Sequence, residues 1–227
     1  GLSIAASDGT WTWRPLVNPK RLLVTSFEMT SPKGFGLMQR TREFVSYEDI
    51  NGRYESHPSA WVEPIGDWGK GRVELVEIPS PDETNDNIVA YWIDADPVAA
   101  GHPIELHYRL HWVKDDAKSQ PQTAWVARTL RGNGGYPKPE DGIGFTIDYE
   151  GPMFASLPPD AKVDAAISTD ANATVLARET RRNPTTGGWR VALRIQRVDP
   201  NKPVELRASL RNDGKESETW SYILPPD

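Results

Sequence analysis

The sequence contains no cysteine, which removes disulfides, thiolate nucleophiles and cysteine-bound zinc together. A chain of 227 residues needs no covalent staple to hold a core, so this absence leaves the compartment open. No apolar run reaches the roughly 18 residues that a spanning helix requires, and no basic-then-apolar leader stands at Gly1. An exported form would therefore be a mature chain or a fragment. There is no basic cluster either, and the net charge is −6; nucleic-acid phosphates call for a concentrated Lys/Arg stripe, so an uncharged ligand suits the chain better and no nucleic-acid partner is expected. No Gly-x-Ser-x-Gly elbow occurs, and neither a Ser-His-Asp nor a Cys-His set assembles, which leaves ester and peptide hydrolysis unsupported.

What the sequence has instead is aromatic and acidic. Nine Trp, seven Tyr and five Phe accompany 32 Asp and Glu. Aromatic faces stack on pyranose rings and carboxylates accept hydroxyl hydrogen bonds, so the mixture suits a sugar site, with core packing as the alternative for any single Trp.

Helical periodicity is short-lived and period-two alternation dominates, which predicts an all-β fold. Leu106, Tyr108, Leu110 and Trp112 alternate with His107, Arg109 and His111, the pattern of a half-buried strand. A polar stretch from Lys114 to Gln122 with Pro121 follows and reads as a linker at 113–122. Beyond it, strand-like runs lie near 123–130, 143–150, 162–168, 174–181, 189–198, 203–211 and 217–224. Turn signals such as Gly134-Gly135, Pro158-Pro159, Gly187-Gly188 and Asp213-Gly214 separate them. Seven short strands over 123–227 predict an immunoglobulin-like β-sandwich without the Cys-Trp-Cys hallmark. Residues 1–112 show strands only near 21–29, 72–78, 87–93 and 104–112, with a helical turn around Tyr47 to Tyr54. Four strands do not close a domain, so exposed sheet edges and a missing portion are expected there.

The densest polar-aromatic segment runs from Trp61 to Gly71, where Glu63 and Asp67 lie among Trp61, Trp68 and three glycines. Glycosidic cleavage needs a protonated carboxyl at the leaving oxygen, and an apolar wall such as Trp68 would keep Asp67 protonated by disfavouring its charged form. The alternative is that Asp67 forms the turn between Gly66 and Trp68. Ser31 to Arg40 holds glycines that could cradle an anion but lacks the Gly-Lys-Ser/Thr ending of a phosphate loop. Arg40, Arg42, Glu43 and Tyr47 either bind sugar hydroxyls or form a solvated loop. Asp82, Glu83 and Asp86 lack calcium-loop spacing, and His107 with His111 lacks a third zinc ligand, so no metal and no cofactor is expected.

Several segments together carry a resemblance: Trp11-Thr12-Trp13-Arg14-Pro15-Leu16, Ser31 to Arg40, Arg53-Tyr54, Pro58 to Pro64, Gly66 to Gly71, Val73 to Pro79, Asn85 to Trp92 and the closing Ser217 to Tyr222. The sequence resembles the family of periplasmic glucan biosynthesis proteins G and D, and matches its C-terminal half. The resemblance implies that 1–112 is the C-terminal part of a large glucan-binding β-sandwich, followed by the immunoglobulin-like domain, with the N-terminal half of the same protein absent. It further implies the periplasm and β-1,2-linked glucan as substrate. Some members cleave that glucan with inversion; transglycosylation and non-catalytic glucan binding are the alternatives. Asp67 aligns with the general acid, Glu63, Trp61, Trp68, Arg40 and Tyr54 would position glucose units, and the general base would lie upstream of Gly1. A homodimer is compatible with the sequence and not required by it.

Overall fold

A computed structural model describes residues 1–82, 84–96, 99–114, 119–133, 142–158 and 160–226. The expected turns at Gly134-Gly135 and Pro159, Glu83, and residues 115–118 of the expected linker lie outside the described residues. The chain divides into two compact units, Gly1–Ser119 and Gln120–Asp227.

Among the described residues the first unit contains eight strands: β1 (Leu2–Ala5), β2 (Trp11–Arg14), β3 (Leu23–Thr30), β4 (Gly34–Leu37), β5 (Ser59–Pro64), β6 (Lys70–Glu77), β7 (Ile88–Asp94) and β8 (Tyr108–Val113). Antiparallel pairing orders them as β2-β1-β4-β5-β8 in one sheet and β3-β6-β7 in the other. Sequence periodicity found β3, β6, β7 and β8 and missed the rest. β1 is buried at all four positions, and β4 carries glycine at two of four; neither shows alternation. The helical turn expected at Tyr47 to Tyr54 is two separate 3-10 turns, Phe44–Ser46 and Tyr54–Ser56.

The core lies between the two sheets. Leu2, Ile4 and Phe35 from one face Phe27, Val73 and Leu75 from the other, with Trp68 buried among them. Each such side chain stabilises the fold by about 1.5–3 kcal/mol on burial. Val62, Leu37, Ile88, Ala90 and Trp92 pack on the margin. Glu77 continues the inward row of Val73 and Leu75, and its Oε1 accepts the amide N–H of Val17 at 2.7 Å.

A five-stranded sheet over a three-stranded one leaves apolar surface uncovered. The row expected to be buried on β8 is exposed, with Tyr108 at 55%, Leu110 at 45% and Trp112 at 67%. The alternation is real, because Leu110 lies directly opposite the core-packed Val62. β8 is an edge strand of the wider sheet, however, and lies beyond the cover of the narrower one.

The second unit has β9 (Trp125–Gly132), β10 (Ile143–Glu150), β11 (Asp164–Thr169), β12 (Ala173–Arg182), β13 (Trp189–Arg197), β14 (Val204–Asn212), the two-residue β15 (Lys215–Glu216) and β16 (Thr219–Leu224). Apart from β15 these strands match the seven sequence runs. One sheet is ordered β12-β13-β10-β9 and the other has β11, β14 and β16 adjacent in that order, which is the strand order of an immunoglobulin constant domain. The disulfide such domains place between their second and sixth strands is replaced by polar and aromatic contacts. Tyr149 on β10 donates its hydroxyl to the Ala208 carbonyl on β14 at 2.7 Å, and Phe145 packs edge-on against Trp220 and Tyr222. The only α-helical segment among the described residues is one turn, Pro152–Ala155.

Two glycines on β4 set how closely its neighbours approach. A Cβ on Gly34 would run into the Trp61 ring, and one on Gly36 would run into the Ala60 carbonyl. Gly36→Ala is expected to destabilise the protein more than Gly34→Ala, within the ~1–3 kcal/mol span of overpacking, because a ring can swing aside and a paired backbone carbonyl cannot. Urea melts of the two variants measure this; equal midpoints to the parent would show that β4 and β5 separate without cost.

Candidate functional site

β5 carries the densest concentration of candidate residues, and its alternation sorts them. Val62 enters the core, so Trp61 and Glu63 project from the outer face of the five-stranded sheet. Strand register places Trp13, Ser3, Gly36, Trp61 and His111 in one row across all five strands. Alongside it, Trp11 pairs with Ala5, Ala5 with Gly34, and Glu63 with Arg109.

With no side chain at Gly34, the Trp61 ring lies across β4 and stacks on Trp11, centroids 5.7 Å apart and planes 19° apart. Trp61 is only 6% exposed, so its ring serves packing, and Trp11, half-buried, is the exposed member of the pair. The Arg40 guanidinium lies 3.7 Å from the centre of the Trp13 ring, the arrangement in which a cation is drawn to the negative face of an aromatic. Arg40, Trp61 and Glu63 therefore belong to one sheet face.

Glu63 is held from the adjacent strand. The His111 Nε2 is 2.7 Å from one carboxyl oxygen, and the Arg109 Nη1 lies 3.7 Å from the other. Both partners are outward residues of β8. Neither was nominated from the sequence, since their spacing on β8 was legible but the strand they would oppose was not. Trp11 and Trp13 were noted only as part of a family motif, although their separation by two residues already placed them on one side of a strand.

Tyr54 belongs to the segment between β4 and β5. Its ring packs edge-on against His57 and tilted against Tyr47, and its carbonyl accepts a hydrogen bond from Gln39 Nε2 at 2.7 Å. Gln39 also anchors the segment to β5 through Ser59 Oγ at 2.9 Å.

Asp67 and Trp68 part company. Trp68 is 9% exposed and packs between Trp92 and Tyr108, with its indole N–H donating to the His107 carbonyl at 3.1 Å. It is a core residue and does not wall the Asp67 carboxyl, which is exposed in the β5–β6 turn. Asp67 accepts hydrogen bonds from the Ser31 hydroxyl and from the Gly69 N–H. These donors, the Ser31 hydroxyl first, favour the charged form and hold the carboxyl below its ordinary value. That is opposite to the shift expected from an apolar wall, because turn geometry puts the carboxylate in water and the indole inside. Positive φ at Gly66 (83°) and Gly69 (69°) makes the turn tight enough for this.

Comparison with known proteins finds that the family model described as "Periplasmic glucan biosynthesis protein, MdoG" matches residues 1–224. The chain is 53% identical over 233 residues to glucans biosynthesis protein G of Ralstonia nicotianae, covering 100% of this chain and 46% of that protein. It is 51% identical over 236 residues to the protein of the same name in Pseudomonas paraeruginosa, covering 100% of this chain and 45% of the relative. For the Serratia proteamaculans protein the identity is 48% over 233 residues, with 99% and 45% covered. The chain thus spans less than half the length of these curated relatives.

Replacing Ser31 by Ala removes the foremost donor to the Asp67 carboxylate, so the Asp67 pKa is expected to rise toward its ordinary value. Because a lowered folded-state pKa favours the native state only above the unfolded value, the parent's advantage over Ser31→Ala should vanish as pH falls through the acid range. NMR titration of the Asp67 carboxyl checks the shift; an unchanged titration would remove Ser31 from its control.

Proposed function

The chain belongs to the MdoG family of periplasmic glucan biosynthesis proteins, and from that premise we propose that the full-length protein acts in the periplasm on β-1,2-linked glucan, cleaving it with inversion. The observation that carries this reading is the collection of Trp11, Trp13, Trp61, Glu63, His111 and Arg40 on one face of the five-stranded sheet. The half-exposed Trp11 indole, a fixed carboxyl and the Arg40 guanidinium on one face suit a polymer of hydroxyl-bearing rings.

In this reading Asp67 gives its proton to the leaving glycosidic oxygen while a carboxylate from outside this chain takes a proton from the attacking water. The Ser31 and Gly69 donors hold Asp67 charged in the free chain, so proton donation requires bound glucan and surrounding protein to exclude water and displace Ser31. Glu63 and Arg40 would contact sugar, Trp61 would hold Trp11 in place, and Trp68 and Tyr54 would support the turn and the loop around them. The relatives' greater length supplies polypeptide to cover Tyr108, Leu110 and Trp112.

The lowered pKa of the exposed Asp67 favours a second reading, in which the protein binds or escorts glucan without cleaving it. If Asp67 is the acid, Asp67→Asn in the full-length protein is expected to lower turnover on linear β-1,2-glucan by at least the ~10²-fold typical of general-acid catalysis, with affinity retained. Product analysis beside a binding titration decides between the readings. Cleavage unchanged in a folded Asn variant would return Asp67 to a turn-forming role, and binding without cleavage by the parent protein would establish the scaffold.

A further inference from the structure

We propose that Glu63, clamped by His111 and Arg109, forms with Trp11 a glucose-binding subsite on the outer face of the five-stranded sheet, separate from the Asp67 turn, and that His111 is its positioning residue. The proposal rests on the reading that the protein handles β-1,2-glucan and adds where and how one stretch of that polymer is held.

A carboxyl recognises a pyranose best when both oxygens accept hydroxyls at a fixed angle, and a glutamate side chain free to rotate pays entropy to achieve it. Glu63 is held at one oxygen by the His111 ring at 2.7 Å, and the Arg109 guanidinium lies 3.7 Å from the other, an ion pair beyond hydrogen-bond length. The restraint does not bury it. Glu63 retains 41% side-chain exposure, with His111 at 37% and Arg109 at 64%. Of these two partners only His111 is within hydrogen-bond distance, and each carboxyl oxygen has two acceptor sites, so acceptor capacity remains on both oxygens for sugar hydroxyls.

The flanking surface is flat and glycine-floored. Gly34 and Gly36 leave nothing standing between β1 and β5, and Trp61 fills that space lying down. Trp11 is covered on one side by Trp61 and remains half-exposed. Strands about 4.8 Å apart put β2 and β5 about 14 Å from each other, a distance that calls for a chain of sugar units and not a single ring. An indole at one end and an oriented carboxyl at the other suit stacking on one glucose and hydrogen bonding to another.

An ordinary cross-strand ion pair that only stabilises the edge strand β8 would have the same distances, so the test separates recognition from stability. The full-length protein is titrated calorimetrically with linear β-1,2-glucan, and urea midpoints are measured for every variant. Glu63→Gln is expected to weaken binding by ~10-fold, the effect of losing one charge-assisted hydrogen bond. His111→Leu should weaken binding by a similar ~10-fold, whereas His111→Gln, whose amide N–H can reach the same carboxyl oxygen, should recover most of it. Parent protein that binds no β-1,2-glucan would overturn the functional reading and this subsite with it. Parent protein that binds, with Glu63→Gln and His111→Leu binding equally well, would overturn the subsite alone. Equal losses in both His111 variants at unchanged midpoints would overturn the positioning role, and Glu63→Gln, nearly isosteric, decides the subsite if the leucine variant fails to fold.

Discussion

The outer face of β4 carries no side chain, and much of the first unit depends on that vacancy. Gly34 and Gly36 let β5 approach with a tryptophan lying flat across the sheet, where any Cβ would collide with the ring or the strand. Trp61 can then reach Trp11 two strands beyond β4 and stack on it. On the other face of the same strand, Phe35 is part of the core. A four-residue strand thus supports a hydrophobic core on one side and an aromatic platform on the other. Burial on the first side and close approach on the second are met by the same alternation.

The two carboxyls nominated on the β5–β6 segment experience different physics. Glu63 is on a paired strand and is oriented by side chains of the next strand. Asp67 is in a glycine-bounded turn, oriented by a backbone amide and a hydroxyl that favour its charge. The first arrangement is suited to recognition, because a fixed acceptor is an advantage in any protonation state that leaves it unhindered. The second favours a proton donor only if its surroundings change on binding, since hydrogen bonds to a carboxylate oppose protonation. The proton-donor role proposed for Asp67 and its local electrostatics therefore pull in different directions.

The two units also differ in how far they satisfy themselves. In Gln120–Asp227 both sheets bury alternate residues, with Val191, Leu193, Ile195, Leu206 and Leu210 all at 2% exposure or less. Its sandwich holds without a disulfide because large aromatics fill the space between sheets. In Gly1–Ser119 the wider sheet exceeds the narrower, and large side chains of β8 meet water. Such a row is costly to leave exposed and marks a surface that more polypeptide can cover.

The sequence by itself determined the strand-dominated class, the seven strands of the second unit and the family. Period-two alternation and turn residues act locally, so Val191-x-Leu193-x-Ile195 and Asp213-Gly214 are readable without knowing what lies opposite. β1 and β4 were not readable, since short strands that are continuously buried or rich in glycine carry no alternation; β2 and β5 do alternate, but over only four and six residues, and went unread. Tertiary structure alone decided that Glu63 meets His111 and Arg109, for that depends on the register of β5 against β8, strands separated by more than 40 residues. It also decided that Trp68 turns inward while Asp67 faces water, and that Leu110 is exposed. Burial is a property of what stands across from a residue, and a pattern along one strand does not contain it.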